Sequence, residues 1–312
     1  MNASERIVKV AVIGVGHLGH HHARIYTELP GVELAAVVDV AETRRREEGG
    51  RLRVPALSDY RELLGKVDAV SVAVPTVLHH QITREFLLAG SDVLVEKPIT
   101  RTLCEADDLV GIAVATGRIL QVGHSERYNG GVQALAQHIH DPDFIEVHRM
   151  GPFPGRGTDV DVVLDLMIHD IDIILTLVGS SVTSVSAVGV PVVSDQVDIA
   201  NARLEFASGC VANITASRVT GERLRRIRVF QRDTYFVLDY ASQELHLFRP
   251  APAGASGKSR LSRVEIPVAR KEPLRQELTE FVNSVRSRRP PMVAGEAGRD
   301  ALAVAARIIE RF

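Results

Sequence analysis

Two stretches of the chain carry the residues best suited to move a proton. Glu96-Lys97-Pro98 closes the apolar run Asp92–Val95, so a carboxylate and an ammonium are delivered at the C-terminal end of a strand. Asp165 and His169 stand at i and i+4, one helical turn apart, where the carboxylate can orient or charge the imidazole. Val162, Val163, Leu164, Leu166, Met167, Ile168 and Ile171 make that segment apolar almost all round. Asp165 and His169 should therefore be substantially buried, and buried polar groups need partners or a purpose. Each set also has a plainer reading. Lys97 could form a surface ion pair with Glu96, and Asp165 with His169 an ordinary helix-face pair. The rigid Pro98 and the apolar surroundings tip both toward function, whereas Asp170 and Asp172 read as structural or solvated.

A glycine loop indicates what else enters the cleft. The β-branched run 7–13 leads at once into Gly14-Val15-Gly16-His17-Leu18-Gly19, and a helical pattern follows. In G-x-G-x-x-G the first glycine permits a tight turn and the second lets backbone approach a pyrophosphate. The third lets the helix pack closely, and the helix N-terminus offers the phosphates its positive end. A second strand, Val32–Val38, ends in Asp39, where an acid accepts hydrogen bonds from the ribose 2′-OH and repels a 2′-phosphate. NAD is favoured, with NADP kept open by Arg44, Arg45 and Arg46, whose plainer role is a solvated helix face. His17, His20, His21 and His22 resemble a metal cluster, but consecutive helix positions point in different directions and no carboxylate or thiolate adjoins them. We assign no metal.

The elements that must position these groups fall into two grammars. Up to Gly123, strands alternate with helices: Asp68–Val74 ending in Pro75-Thr76, a helix through Ala89, Asp92–Val95, a helix over Leu103–Ala115, and Ile119–Val122. That pattern predicts an α/β Rossmann domain over 1–123, a doubly wound parallel sheet. Gly14, Asp39, Pro75, Glu96 and Gln121 then sit at the C-terminal ends of strands, where open α/β sheets bind ligands. After Gly123 a helix near Asn129–His140, the strand Phe144–Met150 and the helix Asp165–Val178 precede strand-type runs from Val182 to about Leu247. These predict a second, α+β domain over 124–312 with a mostly antiparallel open sheet. Pro250–Lys258 reads as a hairpin tip, and helices at Pro273–Arg286 and Gly295–Arg311 close the chain, the last with room to pack back on the first domain.

Composition excludes several classes. The 312 residues are 45% hydrophobic and 24% charged, as in an ordinary globular protein, and the net charge of -2 leaves no basic face for nucleic acid. Cys104 and Cys210 give neither metal spacing nor a disulfide framework, so a reducing, cytoplasmic setting is the simple reading. No signal peptide and no apolar run of bilayer length is evident, so no membrane partner is expected.

Together the motifs resemble the glucose–fructose oxidoreductase / inositol dehydrogenase / rhizopine catabolism (Gfo/Idh/MocA) family over most of the chain. The resemblance rests on the glycine loop with His22-Ala23 behind it, Asp39, Pro75-Thr76-x-x-His79 and Glu96-Lys97-Pro98. It continues with Gly123-His124-x-x-Arg127-Tyr128-Asn129 and the D-x-x-x-H-x-x-D of Asp165, His169 and Asp172. It implies NAD(P)-dependent hydride transfer at a secondary alcohol of a sugar, cyclitol or nucleotide sugar. It also implies a C-terminal sheet through which copies form a homodimer or homotetramer. By carry-over, Lys97 contacts substrate hydroxyl and nicotinamide ribose, His169 is the acid/base and Asp165 supports it. Glu96, Pro75, Thr76 and His79 line the cofactor, and His124, Arg127 and Tyr128 face the substrate. Val160, Asp161 and Met167 stand where the family usually carries glycines, and Gly130 where it carries proline; these departures bear on the pocket. The segment 151–158, which includes Arg156 as a phosphate or hydroxyl ligand, looks like a branch with UDP-N-acetylglucosamine 3-dehydrogenases. Two other readings stay open: a same-fold reductase of a non-sugar substrate, and a non-catalytic NAD-binding sensor or co-repressor.

Overall fold

Alternating apolar strands and helices assemble, in a computed structural model, into the expected parallel sheet. The structure describes residues 6–153, 160–251 and 260–312. The first unit comprises Met1–Ser125 together with Leu274–Asp300. Its strands are β1 (Val8–Ile13), β2 (Val32–Val38), β3 (Ala56–Leu57), β4 (Ala69–Val72), β5 (Asp92–Glu96) and β6 (Leu120–Gly123), and its first four helices are α1 (Gly19–Glu28), α2 (Glu42–Leu52), α3 (His79–Leu88) and α4 (Leu103–Thr116). The order is β3-β2-β1-β4-β5-β6, with every pairing parallel. It reverses between β1 and β4, the switch point where such sheets take ligands.

Local chemistry sets the helix ends. Thr102 caps α4 by accepting from Glu105 N at 3.3 Å, while Glu105 accepts from Thr102 N at 3.1 Å, a reciprocal capping box. Gly117, at φ 62°, ends the helix in the left-handed conformation that glycine adopts without strain.

The second unit comprises Glu126–Pro273 and Ala301–Phe312. It holds α5 (Gly130–Ala136), β7 (Phe144–Met150) and α6 (Ile168–Val178), preceded without a break by a π-helical turn, Val163–Met167. Then come β8 (Val182–Val190), β9 (Ile199–Phe206), β10 (Val211–Ser217), β11 (Leu224–Gln231), β12 (Thr234–Asp239), β13 (Glu244–Ala251) and β14 (Arg260–Ile266). The sheet runs β14-β13-β12-β11-β7-β10-β9-β8. This corrects the simple meander: β7, early in the chain, lies mid-sheet and pairs parallel with β10. Its strict alternation sends Ile145 and Val147 into a core with Ile171 and Ile174 of α6.

Two closing helices, α7 (Pro273–Ser287) and α8 (Gly295–Ile309), complete the chain. The expected 124–312 domain is thus not contiguous, because Leu274–Asp300 belongs with the first unit. There Leu278, Phe281 and Val282 of α7 are buried with Val10, Val12, Leu94 and Tyr26. Fully burying such side chains contributes roughly 1.5–3 kcal/mol each, which explains why the sheet recruits a helix so distant in sequence. The expected helix to His140 stops at Ala136.

Candidate active site

At the switch point the glycine loop has the geometry its spacing implies. Gly14 has φ +87°, and a Cβ there would lie 2.5 Å from the Ala73 carbonyl oxygen. A Cβ on Gly19 would lie 1.8 Å from Gly14 O, so helix and loop can meet only through glycine. At Gly16 the nearest atom to such a Cβ is Arg44 Nη1 at 4.0 Å, leaving open space over the backbone. No side chain caps α1; His20 N and His21 N donate to Gly16 O and Leu18 O, and the amide of Gly19 is the one of the first turn that can face an anion. His17 and Leu18, before α1, are exposed. A cleft of about 530 Å³ adjoins the loop, lined among others by Gly14, Gly16, Asp39, Arg44, Tyr60 and Pro75. These residues fit a dinucleotide: tight glycine turn, open backbone, uncapped helix, acid at the strand end.

Asp39 is tied to the glycine loop itself. Its Oδ2 accepts from Val15 N at 3.0 Å and its Oδ1 from Ala41 N at 2.8 Å, so it fixes the loop. Each oxygen keeps a second lone pair for a hydroxyl. Another cleft, of about 450 Å³, is lined by Arg6, Lys9, Lys66, Asp68, Arg118 and Arg288, at the opposite, N-terminal ends of the strands.

Lys97 is half-buried just past β5. Glu96 turns the other way. It is 7% exposed, its Oε1 meets His22 Nε2 at 3.0 Å, and its Oε2 accepts from Lys97 N at 3.3 Å. The Glu96 carboxylate is thus engaged by the His22 ring and the Lys97 backbone. The Lys97–Pro98 peptide is cis.

His79 is likewise enclosed, with Nδ1 at 2.9 Å from Pro98 O and Nε2 at 2.9 Å from Val74 O. Both nitrogens face backbone carbonyls, to only one of which a neutral ring can donate, so His79 sits against the backbone at Val74 and Pro98. Burial pushes its pKa below the ordinary histidine range, against those two carbonyls. Pro75 lines the cleft, and Thr76 opens a short 3₁₀ turn over Thr76–Leu78. Gln121 is fully buried and donates to Glu277 O of α7 at 3.3 Å, which makes it a tie between sheet and helix. His124 is fully buried just past β6. The His20 and His21 rings are tilted by 39° with centroids 3.8 Å apart, while His22 points into the core.

In the second unit Asp165 lies in the π turn and His169 in the first turn of α6, both half-buried. Asp161 starts that turn by accepting from Val163 N at 3.0 Å and Leu164 N at 3.1 Å, so the acid in the family's glycine place serves as a cap. π turns recur at functional sites, and here the wider turn carries Asp165.

Behind this face α6 presents buried charge. Arg149 of β7 grips Asp170 through Nε at 2.7 Å and Nη2 at 2.9 Å, reaches Glu126 at 3.1 Å, and lies over the Tyr240 ring at 5.1 Å. Burial opposes the Arg149 charge, but Asp170 and Glu126 outweigh it and hold its pKa above the usual range. Burial, followed by the Asp170 charge, pushes the Tyr240 phenol well up. Arg127 Nε lies 3.5 Å from Asp172 Oδ2, and Tyr128 is 2% exposed. Arg127 thus faces Asp172 of α6, and Tyr128 is buried. Arg156 lies outside the described residues. Neither Glu126 nor Arg149 had been singled out from sequence, although an arginine at an inward position of an alternating strand was a signal.

Asp172 yields a pH test. Arg127 favours its charged form, but at 2% exposure burial weighs more and the carboxyl is pushed up to about 7 from 3.8. A group raised on folding contributes stability that is full below its unfolded value and lost as pH rises through its folded one. Native stability should therefore decline between about pH 4 and 7 from this residue. Asp172→Asn should flatten that slope in urea-unfolding midpoints read across the window; an unchanged slope would contradict it.

Comparison with known proteins agrees with this geometry. Residues 8–124 match the oxidoreductase family with an NAD-binding Rossmann fold, and residues 130–235 match the GFO/IDH/MocA C-terminal domain. The chain is 37% identical over 302 residues to the UDP-N-acetylglucosamine 3-dehydrogenase of Acidithiobacillus ferrooxidans, covering 96% of each. A solved structure of that enzyme superposes with a TM-score of 0.91 over 97% of both chains. The myo-inositol 2-dehydrogenase of Thermotoga maritima is 28% identical, covering 95% of this chain and 93% of that one. On these grounds the chain belongs to the GFO/IDH/MocA family and is an NAD-dependent oxidoreductase acting on CH–OH groups.

Proposed function

We propose that the chain oxidises the C3 hydroxyl of UDP-N-acetylglucosamine, with Lys97, His169 and Asp165 as its catalytic residues. The observation that carries this reading is the placement of Lys97, half-buried just past the C-terminal end of β5, the end of the sheet where the glycine loop also lies. The nucleotide-sugar substrate is supported by the 37% identity to the Acidithiobacillus enzyme across nearly the whole chain. In this reading Lys97 holds the hydroxyl and His169 takes its proton. Asp165 stabilises the charged imidazole. When bound, the nicotinamide supplies the acceptor for the hydride that leaves C3. Gly14, Gly16, His17, Leu18, Gly19 and Asp39 hold the dinucleotide, and Pro75 with Thr76 borders its nicotinamide side. NADP is the weaker cofactor, since its 2′-phosphate would meet Asp39, although Arg44 lines the same cleft. Cys104 and Cys210 are free thiols, which supports a cytoplasmic setting. Among the described residues no helix is long and apolar enough to cross a membrane.

The test is NADH formation with UDP-N-acetylglucosamine beside myo-inositol and free sugars. Turnover with the nucleotide sugar alone is expected. Turnover only with inositol, or with none of the panel, would overturn the substrate.

The assembly we propose is a homo-oligomer built on the outer face of the second sheet. Phe144, Phe230, Tyr235 and Phe248 are half-buried on the face away from the core, with successive ring centroids 5.7, 5.1 and 4.5 Å apart. A continuous aromatic row of this kind marks an interaction surface. Light scattering should give a dimer or tetramer for the wild type and a monomer for Tyr235→Asp; a monomeric wild type would contradict the proposal.

A further inference from the structure

Among four histidines grouped around the glycine loop, only His22 leaves solvent altogether. It is 0% exposed on the inward face of α1, and its Nε2 lies 3.0 Å from Glu96 Oε1. A carboxylate only accepts, so Nε2 carries the proton of this contact. The other Glu96 oxygen, Oε2, accepts the backbone N–H of Lys97 at 3.3 Å. Gly123 leaves room for this carboxylate, because a Cβ there would lie 2.8 Å from Glu96 Oε2. One turn along the same helix face, Tyr26 is 0% exposed and its hydroxyl pairs with Ser71 Oγ of β4 at 2.7 Å. The inward side of α1 is thus tied by two buried polar contacts to the adjacent strands β4 and β5. Its outer end begins at Gly19, where the loop geometry fits a pyrophosphate.

We infer that His22 is a positioning residue for Lys97, acting through Glu96, so that the helix that receives the cofactor phosphates also sets the lysine. The inference rests on the assignment of Lys97 to the reacting hydroxyl. Its physics is simple. Glu96 is buried, and a buried carboxylate that loses its donor must find another partner or admit water. The ammonium of Lys97, one residue along, is an adaptable cation it could then draw in. His22 holds the carboxylate inward and keeps the Glu96–Lys97 backbone in register with α1. Displacing a reacting group by about 1 Å can cost on the order of 100-fold in rate.

Two substitutions separate this role from packing. His22→Leu fills the space without a hydrogen bond, whereas His22→Gln returns an N–H donor at similar reach. In His22→Leu, kcat should fall about 100-fold with KM for NAD unchanged within about twofold, and His22→Gln should regain most of the loss. Independently of any substrate, Lys97 should react more slowly with an amine-directed reagent in His22→Leu than in wild type, read by peptide mass spectrometry. His22→Gln should react at the wild-type rate. Wild-type kcat and wild-type labelling in His22→Leu would overturn the inference. So would equal losses in both variants that track their melting temperatures, since that is plain packing. A wild type that labels as expected but turns over no sugar defeats the functional reading and leaves the brace standing.

Discussion

Lys97→Met and His169→Ala each lower kcat by about 10²–10⁴-fold, the range that general acid–base assistance contributes, while NAD binding persists. The expectation follows from position. Lys97 is half-buried at the C-terminal end of β5, the end where the glycine loop also lies. His169 is half-buried on α6, one turn from Asp165. Neither substitution touches Gly14, Gly16, Gly19 or Asp39, so titration of NAD by fluorescence should give wild-type affinity for His169→Ala and a modest loss for Lys97→Met. Residual rates above about a tenth of wild type in either variant would remove that residue from the mechanism.

The second large effect concerns stability. Arg149→Met leaves Asp170, fully buried, without its two-pronged partner and strips Glu126 of its contact as well. Breaking a buried pair by removing one member costs about 3–5 kcal/mol, because the remaining charge stays desolvated. For a unit of this size that is a fall of roughly 6–20 °C in melting temperature, measurable by calorimetry. Adding Asp170→Asn to Arg149→Met should recover part of the loss, since the orphaned charge is then gone. A single variant within about 1 kcal/mol of wild type would show that the cluster does not support α6. Since α6 carries His169, activity should decline at lower temperature in the same variant.

What could be read from residues alone was whatever is written locally. Apolar runs alternating with helical patterns announced the parallel sheet, and the glycine spacing announced the loop whose steric limits appear at Gly14 and Gly19. Strand order was not local. β7 sits between β11 and β10 because pairing joins residues far apart in sequence, and periodicity names a face without naming a partner. β3, two residues long, and β14 were too short or too polar to announce themselves. α7 showed its amphipathic pattern but not that its apolar side belongs to the first unit.

The site divides in the same way. Residue type and spacing singled out Lys97, Asp165 and His169. They could not show that Glu96, His79 and Gln121 use their polar atoms internally, because that depends on which helix packs over each strand end. His22 was legible as part of the motif behind the glycine loop, but its tie to Glu96 was not. Arg127 was legible as a polar residue near the junction but not as the partner of Asp172, which comes from α6.

The central claim is that the C3 hydrogen of a nucleotide sugar leaves as hydride while side chains of this protein take the hydroxyl proton. UDP-N-acetylglucosamine carrying deuterium at C3 tests it directly, with the reduced cofactor examined by mass spectrometry after turnover with NAD. The account predicts that the reduced nicotinamide gains the deuterium and the medium does not. Reduced cofactor without label, or label released to water, would contradict it.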